Sequence, residues 1–205
     1  MAIITIARQF GAGGRTLGAM IAKKLDYQFL DDALIQELAR IARVTPNTIK
    51  NIERSGGGLI SKMISSMISK DYMERLTGDK IGYMDEDIYV EKLREVITGF
   101  AKKDKVVILG RGGQYILSDW DNAIHVLLIA DEKDRIKFMQ KHYNLSGKKA
   151  LQLVKDDEKR RKNLYSKFGR KDYDSPELYH VVINTSRVSL DQGVAIICDL
   201  LDKHS

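Results

Sequence analysis

The stretch ITIARQFGAGGRTLGAMIAKKL, residues 4–25, holds the densest chemistry in the chain. An apolar run ends in Gly11, Ala12, Gly13 and Gly14, after which Arg15 and Thr16 open a segment of helical periodicity. Glycines at such a junction let the backbone take positive φ and approach a ligand closely, and the N–H groups of a helix start attract anions. The chemistry this suits is the cradling of phosphate. A full Walker A loop, G-x-x-x-x-G-K-[ST], adds a lysine for the outer phosphates and a hydroxyl for magnesium. Laid over this chain it puts Gln9 at the first glycine, Gly14 at the second, Arg15 at the lysine and Thr16 at the hydroxyl, so two of its four fixed positions differ. Arg15 keeps the charge but presents a planar fork instead of a point charge. On the loop alone three readings stay open: a phosphate cradle, a plain strand-to-helix turn, and a dinucleotide site with Asp31 or Asp32 on the ribose. The last lacks its third glycine, because Thr16 stands there.

Three further sets of residues could act with the loop. Asp31 and Asp32 follow the short apolar run YQFL, where a carboxylate can bind a substrate hydroxyl or base, place magnesium through water, or cap the next helix. Arg111, in LGRGG at 109–113, emerges beyond an apolar strand at the edge where ligands of open α/β sheets bind; its alternative role is a helix cap. KDDEKRRKNLYSKFGRKDYDSPELY supplies Arg160, Arg161, Arg170 and Lys171 among acids. Arginines that close over a transferring phosphoryl group stabilise its spread charge and exclude water. The alternative is a solvated helix with i,i+4 pairs such as Asp157 with Arg161. No histidine pair has metal-ligand spacing and no Ser-His-Asp arrangement is evident, since His125 falls inside a strand and His142, His180 and His204 are isolated.

The elements that must position these residues alternate in type. AIITIA reads as a buried strand, residues 14–25 as a helix with Leu17, Met20, Ile21 and Leu25 on one face, and YQFL as a second strand. A helix capped by Asp31 follows, then one started by Thr45 and Pro46. Residues 44–84 read as a helical insertion hinged at Gly56–Gly58, with an ordinary surface helix as the alternative. A long helix over 86–101 leads to the strand 106–109, and AIHVLLIA, a helix capped by Asp131, the basic segment, YHVVINTS and SLDQGVAIICDLLDK complete the chain. Such alternation predicts a parallel sheet of about five strands.

The 205 residues, 43% of them hydrophobic, suffice for one well-cored domain over 1–205, and no stretch approaches the roughly 20 apolar residues needed to cross a bilayer. The start of the chain lacks the basic and small-residue marks of a signal peptide, so a cytoplasmic location is expected. Cys198 is the only cysteine, which excludes an internal disulfide and points to an inert core thiol. Net charge is +6, of which residues 143–175 carry +5, from ten Lys or Arg against five Asp or Glu. Charge gathered in one segment points to an anionic partner.

Together these residues resemble the cytidylate kinase-like proteins of the nucleoside monophosphate kinase group, within the P-loop NTPases. The resemblance covers nearly the whole chain and rests on ARQFGAGGRTLG, FLDDALI, ILGRGGQYIL and DDEKRRKNLYSKFGRKDYDSPELYHVVINTSRVSL. It implies a three-layer α/β P-loop kinase fold in which 44–84 is a helical monophosphate-binding lobe and 143–175 an arginine-bearing lid. By the resemblance, Gly11, Ala12, Gly13, Gly14, Arg15 and Thr16 hold the phosphates of ATP, Thr16 also serves Mg2+, and Asp31, Asp32 and Arg111 meet the acceptor. Arg15, Arg160, Arg161 and Arg170 would then stabilise the moving phosphoryl group. The implied reaction passes the γ-phosphoryl group of ATP to a nucleoside monophosphate, CMP or dCMP first among them.

Two features differ from authentic cytidylate kinases. Leu109 stands where an acidic residue ends their central strand, and their D-T-G turn reads Asp31-Asp32-Ala33. A kinase of another small acceptor and a nucleotide-binding regulatory protein are therefore the rival expectations. Nucleic-acid binding through 143–175 is disfavoured, because aromatic residues are sparse there and the basic residues alternate with acids.

Overall fold

The first strand, β1 (Ile3–Arg8), is apolar at both alternating sets of positions, as a strand covered on both faces must be. In the computed structural model, which describes residues 2–54 and 86–204, it is the middle strand of five. The sheet runs β2 (Gln28–Leu30), β3 (Val106–Leu109), β1, β4 (Ala123–Ile129), β5 (Val181–Asn184). Every pairing is parallel. β1 extends one residue past the apolar run, to Arg8, because its register with β4 continues to Arg8 opposite Leu128. β5 is shorter than YHVVINTS suggests, since the 3-10 turn at Pro176–Leu178 occupies the approach to it.

Period two sorts the strand side chains between two cores. Ile4 and Ile6 face Leu17 and Ile21 of α1 (Gly14–Leu25) and Val194 and Ile197 of α8 (Leu190–His204). Ile3, with Val106 and Ile108, faces the opposite layer. There Leu34 and Leu38 of α2 (Asp32–Ala42), Ile49 of α3 (Pro46–Arg54) and Leu93 and Ile97 of α4 (Glu86–Ala101) close the core. Each such Leu or Ile contributes about 1.5–3 kcal/mol of transfer free energy. Of the segment 44–84 only α3 falls within the described residues; the expected Gly56–Gly58 hinge and the stripe after it lie outside them. Cys198 is buried in α8, as the sequence suggests.

The remaining helices surround the carboxyl ends of the strands. α5 (Gly113–Ile116) follows β3, α6 (Glu132–Tyr143) follows β4, and α7 (Gly147–Ser166) turns back against α6 through Met139, Ala150 and Val154. α7 also packs on α3. One polar link crosses the sheet: Thr5 Oγ1 and His125 Nδ1 are 2.7 Å apart, joining the centres of β1 and β4. Burial, and then the neighbouring His180, push the His125 pKa down to about 4. In a parallel sheet all strands end on one edge, so Arg8, Asp31, Leu109 and Ala130 gather there, each at or beyond the end of its strand.

Candidate active site

The loop between β1 and α1 is held in shape mostly by its own backbone. Gly11 and Gly13 take φ of +87° and +83°, and Gly13 caps α1 without any side chain. A Cβ on Gly11 would also stand 2.8 Å from the Arg135 carbonyl oxygen, a backbone atom that cannot step aside. Gly14 differs from the sequence reading: it lies inside the helix rather than at positive φ, and its need for a missing side chain is steric. Gln9 is a fastening point, accepting the Ala130 N–H on its side-chain oxygen at 3.0 Å and the Ala12 N–H on its carbonyl at 3.1 Å. Ala12 is buried in the core, and its carbonyl receives the Thr185 hydroxyl at 3.1 Å.

These glycines open onto a cleft of about 580 Å³. Arg15 and Thr16 stand exposed at its mouth on the first turn of α1. Arg15 bonds Asp31 at 2.5 Å and Asp32 at 3.3 Å. Desolvation opposes charge on Arg15, but the two carboxylates outweigh it and hold its pKa above the ordinary value. Asp31 sits at the N-cap position of α2 without making a side-chain capping bond, so its carboxylate serves Arg15 and, at 3.6 Å, Arg111.

Glu53, in α3, carries no motif in the sequence, and it organises the wall of the cleft where Arg111 and Arg160 meet. Its side chain is wholly out of water and meets Arg111 Nε at 2.9 Å, Arg160 Nη1 at 3.1 Å and the Tyr89 hydroxyl at 3.0 Å. Arg111 arrives there on a left-handed residue, φ +51°, a conformation that costs a non-glycine residue about 1–3 kcal/mol and recurs at functional sites. It donates as well to the Asp31 carbonyl at 3.1 Å. Burial alone would lower the Arg111 pKa; Glu53, Tyr89 and Asp31 reverse that. Burial, and then Glu53, push the Tyr89 phenol well above its usual range.

α7 delivers two adjacent arginines to different duties, since neighbouring helical residues point about 100° apart. Arg160 reaches Asp157 at 2.8 Å and Glu53 on α3. Arg161 is buried and grips Asp174 with both terminal nitrogens, at 2.6 and 2.9 Å, while holding Glu158 at 2.8 Å. The i,i+4 pair of Asp157 with Arg161 considered from the sequence is thus replaced by two i,i+3 pairs. Glu158 also accepts the Phe10 N–H at 2.8 Å, which ties α7 to the loop. The structure brings Gly11, Gly13, Gly14, Arg15, Thr16, Asp31, Asp32, Arg111, Arg160 and Arg161 to one cleft. Arg170 does not line it and lies over the Tyr115 ring at 5.3 Å.

Arg8 and Glu53 line the cleft but were missed in sequence. Arg8 has no sequence signal beyond standing at the end of a strand. Glu53 had one, because it follows the inward Ile49 by four residues and so shares its helical face.

Comparison with solved structures agrees on the fold. An uncharacterized protein from Eubacterium ventriosum superposes with a TM-score of 0.69 at 20% identity, covering 98% of each chain. Shikimate kinase from Bacteroides thetaiotaomicron gives 0.51 at 14% identity over 98% of each chain. A gluconokinase from Sinorhizobium meliloti gives 0.50 at 16% identity, over 100% of this chain and 97% of its own. Identities this low speak for the fold, an α/β P-loop kinase fold. No curated protein matches the sequence. The profile of the cytidylate kinase-like family matches residues 3–187, which take in the loop, Glu53, Arg111, Arg160 and Arg161 alike, and the chain belongs to that family.

Proposed function

We propose that this protein is a small-molecule kinase that transfers the γ-phosphoryl group of ATP to a nucleoside monophosphate, with CMP or dCMP as the first acceptor. The observation that carries the reading is the meeting of Arg111 and Arg160 on the buried Glu53, in the same cleft onto which the glycine-rich start of α1 opens. Family membership supports the kinase chemistry.

Phosphoryl transfer needs positioning and charge neutralisation more than covalent help from the protein. The free N–H groups at the start of α1 hold the donor phosphates, and Arg15 stands at the mouth to meet them. Arg111 and Asp31, at the ends of β3 and β2, orient the acceptor. Arg160 approaches from the lid and neutralises charge on the group in transit. Arg161 shapes the lid through Asp174, and Arg170 would reach the phosphates only after leaving Tyr115. Asp31, Asp32 and the exposed Thr16 hydroxyl are hard oxygen donors of the kind Mg2+ takes; among the described residues no group of three or more His, Cys, Asp or Glu could hold a metal alone, so the ion would enter with the nucleotide. Magnesium supplies neutralisation of the phosphate oxygens.

The carboxylates already bonded to Arg111 and Arg160 favour a second reading, in which the acceptor is a neutral hydroxyl compound. ADP release from ATP, followed with each common nucleoside monophosphate and with sugar and polyol acceptors, separates the two. CMP- or dCMP-dependent ADP release is expected. Turnover confined to a non-nucleotide acceptor would replace the substrate assignment, and ATP binding without transfer to any acceptor would replace the enzyme with a nucleotide-responsive regulator.

A further inference from the structure

We propose that Arg8 is the phosphate-contacting cation of the loop and stands in for the lysine that a Walker A motif places on the first turn of its helix. The proposal rests on the reading above, that nucleotide phosphates bind at this loop. The helix begins at Gly14, directly after the left-handed Gly13. Counting the motif from that junction puts its second glycine on Gly13, its lysine on Gly14 and its first glycine on Arg8, one residue earlier than the sequence alignment suggests. The place of the cation then holds a glycine, and the place of a glycine holds a cation.

The geometry joins the two exchanges. A Cβ built on Gly14 would lie 2.8, 3.1 and 3.2 Å from Cγ, Cβ and Cδ of Arg8, so the Arg8 stem fills the space that a side chain on residue 14 would enter. Its Nη1 lies 2.7 Å from the Cβ position of Gly110, which places the guanidinium between the loop and the turn after β3, on the wall of the cleft. Arg15, Arg111, Arg160 and Arg161 each bond a carboxylate. The Arg8 side chain, half-buried on the cleft wall, makes no hydrogen bond or ion pair among the described residues. Burial lowers its pKa, and Arg160 and Arg111 add to the effect against the pull of Tyr165 and Asp157. A guanidinium drawn partly out of water beside two others, with no carboxylate bonded to it, is completed by an anion.

Titration calorimetry with ATP and with tripolyphosphate tests this on the full chain. Arg8→Ala is expected to weaken both at least 100-fold while leaving the thermal midpoint within a few degrees, and Arg8→Met, which keeps the stem, serves if the alanine variant fails to fold. Gly14→Lys alone sets its Cβ against Arg8 and is expected to destabilise the protein. In Arg8→Ala/Gly14→Lys the lysine enters the vacated space, and at least a tenfold recovery of tripolyphosphate binding over Arg8→Ala is expected. Binding by Arg8→Ala or Arg8→Met within threefold of wild type, or a double variant no better than Arg8→Ala, overturns the proposal. Tripolyphosphate binding that depends on Arg8 without ATP binding would uphold Arg8 and remove the nucleotide reading; wild-type protein that binds neither overturns both.

Discussion

A carboxylate fully withdrawn from water at Glu53 is tolerable only because two guanidiniums and a phenol meet it. Glu53→Gln keeps the shape but removes the charge, leaving Arg111 buried without its closest acid. Loss of one member of a buried pair costs about 3–5 kcal/mol, and urea denaturation of Glu53→Gln is expected to show a loss on that order. His125 gives a second residue-scale expectation. Its pKa of about 4 lies below the ordinary 6.5, so the unfolded chain binds a proton that the folded chain refuses. The associated stability is full above pH 6.5 and falls away as pH drops toward 4, by up to about 3 kcal/mol. Denaturation at pH 5 against pH 7.5 is expected to show this slope, and His125→Asn to flatten it. Sequence carries only part of either environment: the spacing from Ile49 puts Glu53 on the inward face of its helix without naming the two arginines that meet it, and a lone histidine in an apolar strand does not announce Thr5 as its partner.

Among the elements, α7 shows how side-chain partners redirect a regular helix. Its start follows from Ser146, whose hydroxyl caps the Lys149 N–H, and its course from the helical spacing of Ala150, Val154 and Leu164 on the buried side, where Arg161 joins them. The partner of Arg161 could not be foreseen, because Asp174 lies beyond the helix and reaches it only after the chain turns at 167–171. Asp174→Asn leaves Arg161 with Glu158 alone, and a fall of several degrees in thermal midpoint is expected, corresponding to about 1–3 kcal/mol. Strands and helices elsewhere were legible for the same reason that α7 was: periods of 2 and 3.6 are imposed by the two cores. Arg160→Ala removes a cation of the cleft that also serves the buried Glu53. It is expected to lower kcat about 100-fold or more in the ADP-release assay, as removal of a single charge-stabilising donor does, and to lower stability as well, because Glu53 loses one of its two guanidiniums.

At the scale of the whole molecule, the strand order was the feature least open to inference. Alternating elements specify a parallel sheet, but not that β3 inserts between β2 and β1 and so places Arg111 beside the glycine-rich loop. With that order in place, residues more than 100 positions apart share one wall. The same convergence gathers positive charge, and ATP affinity is expected to fall as sodium chloride rises from 50 to 500 mM, because exposed charges are screened over about 10 Å at 0.1 M salt. Ligand present at 100 times its dissociation constant is expected to raise stability by about 2.7 kcal/mol, seen as an upward thermal shift.

The bond from the Phe10 N–H to Glu158 joins a backbone group of the glycine-rich loop to a side chain of α7. Any excursion of α7 away from the sheet strips that amide of its acceptor and hands it to solvent. Deuterium uptake at the single amide of residue 10 would therefore register any movement of α7 away from the loop, with no substrate and no assay of turnover.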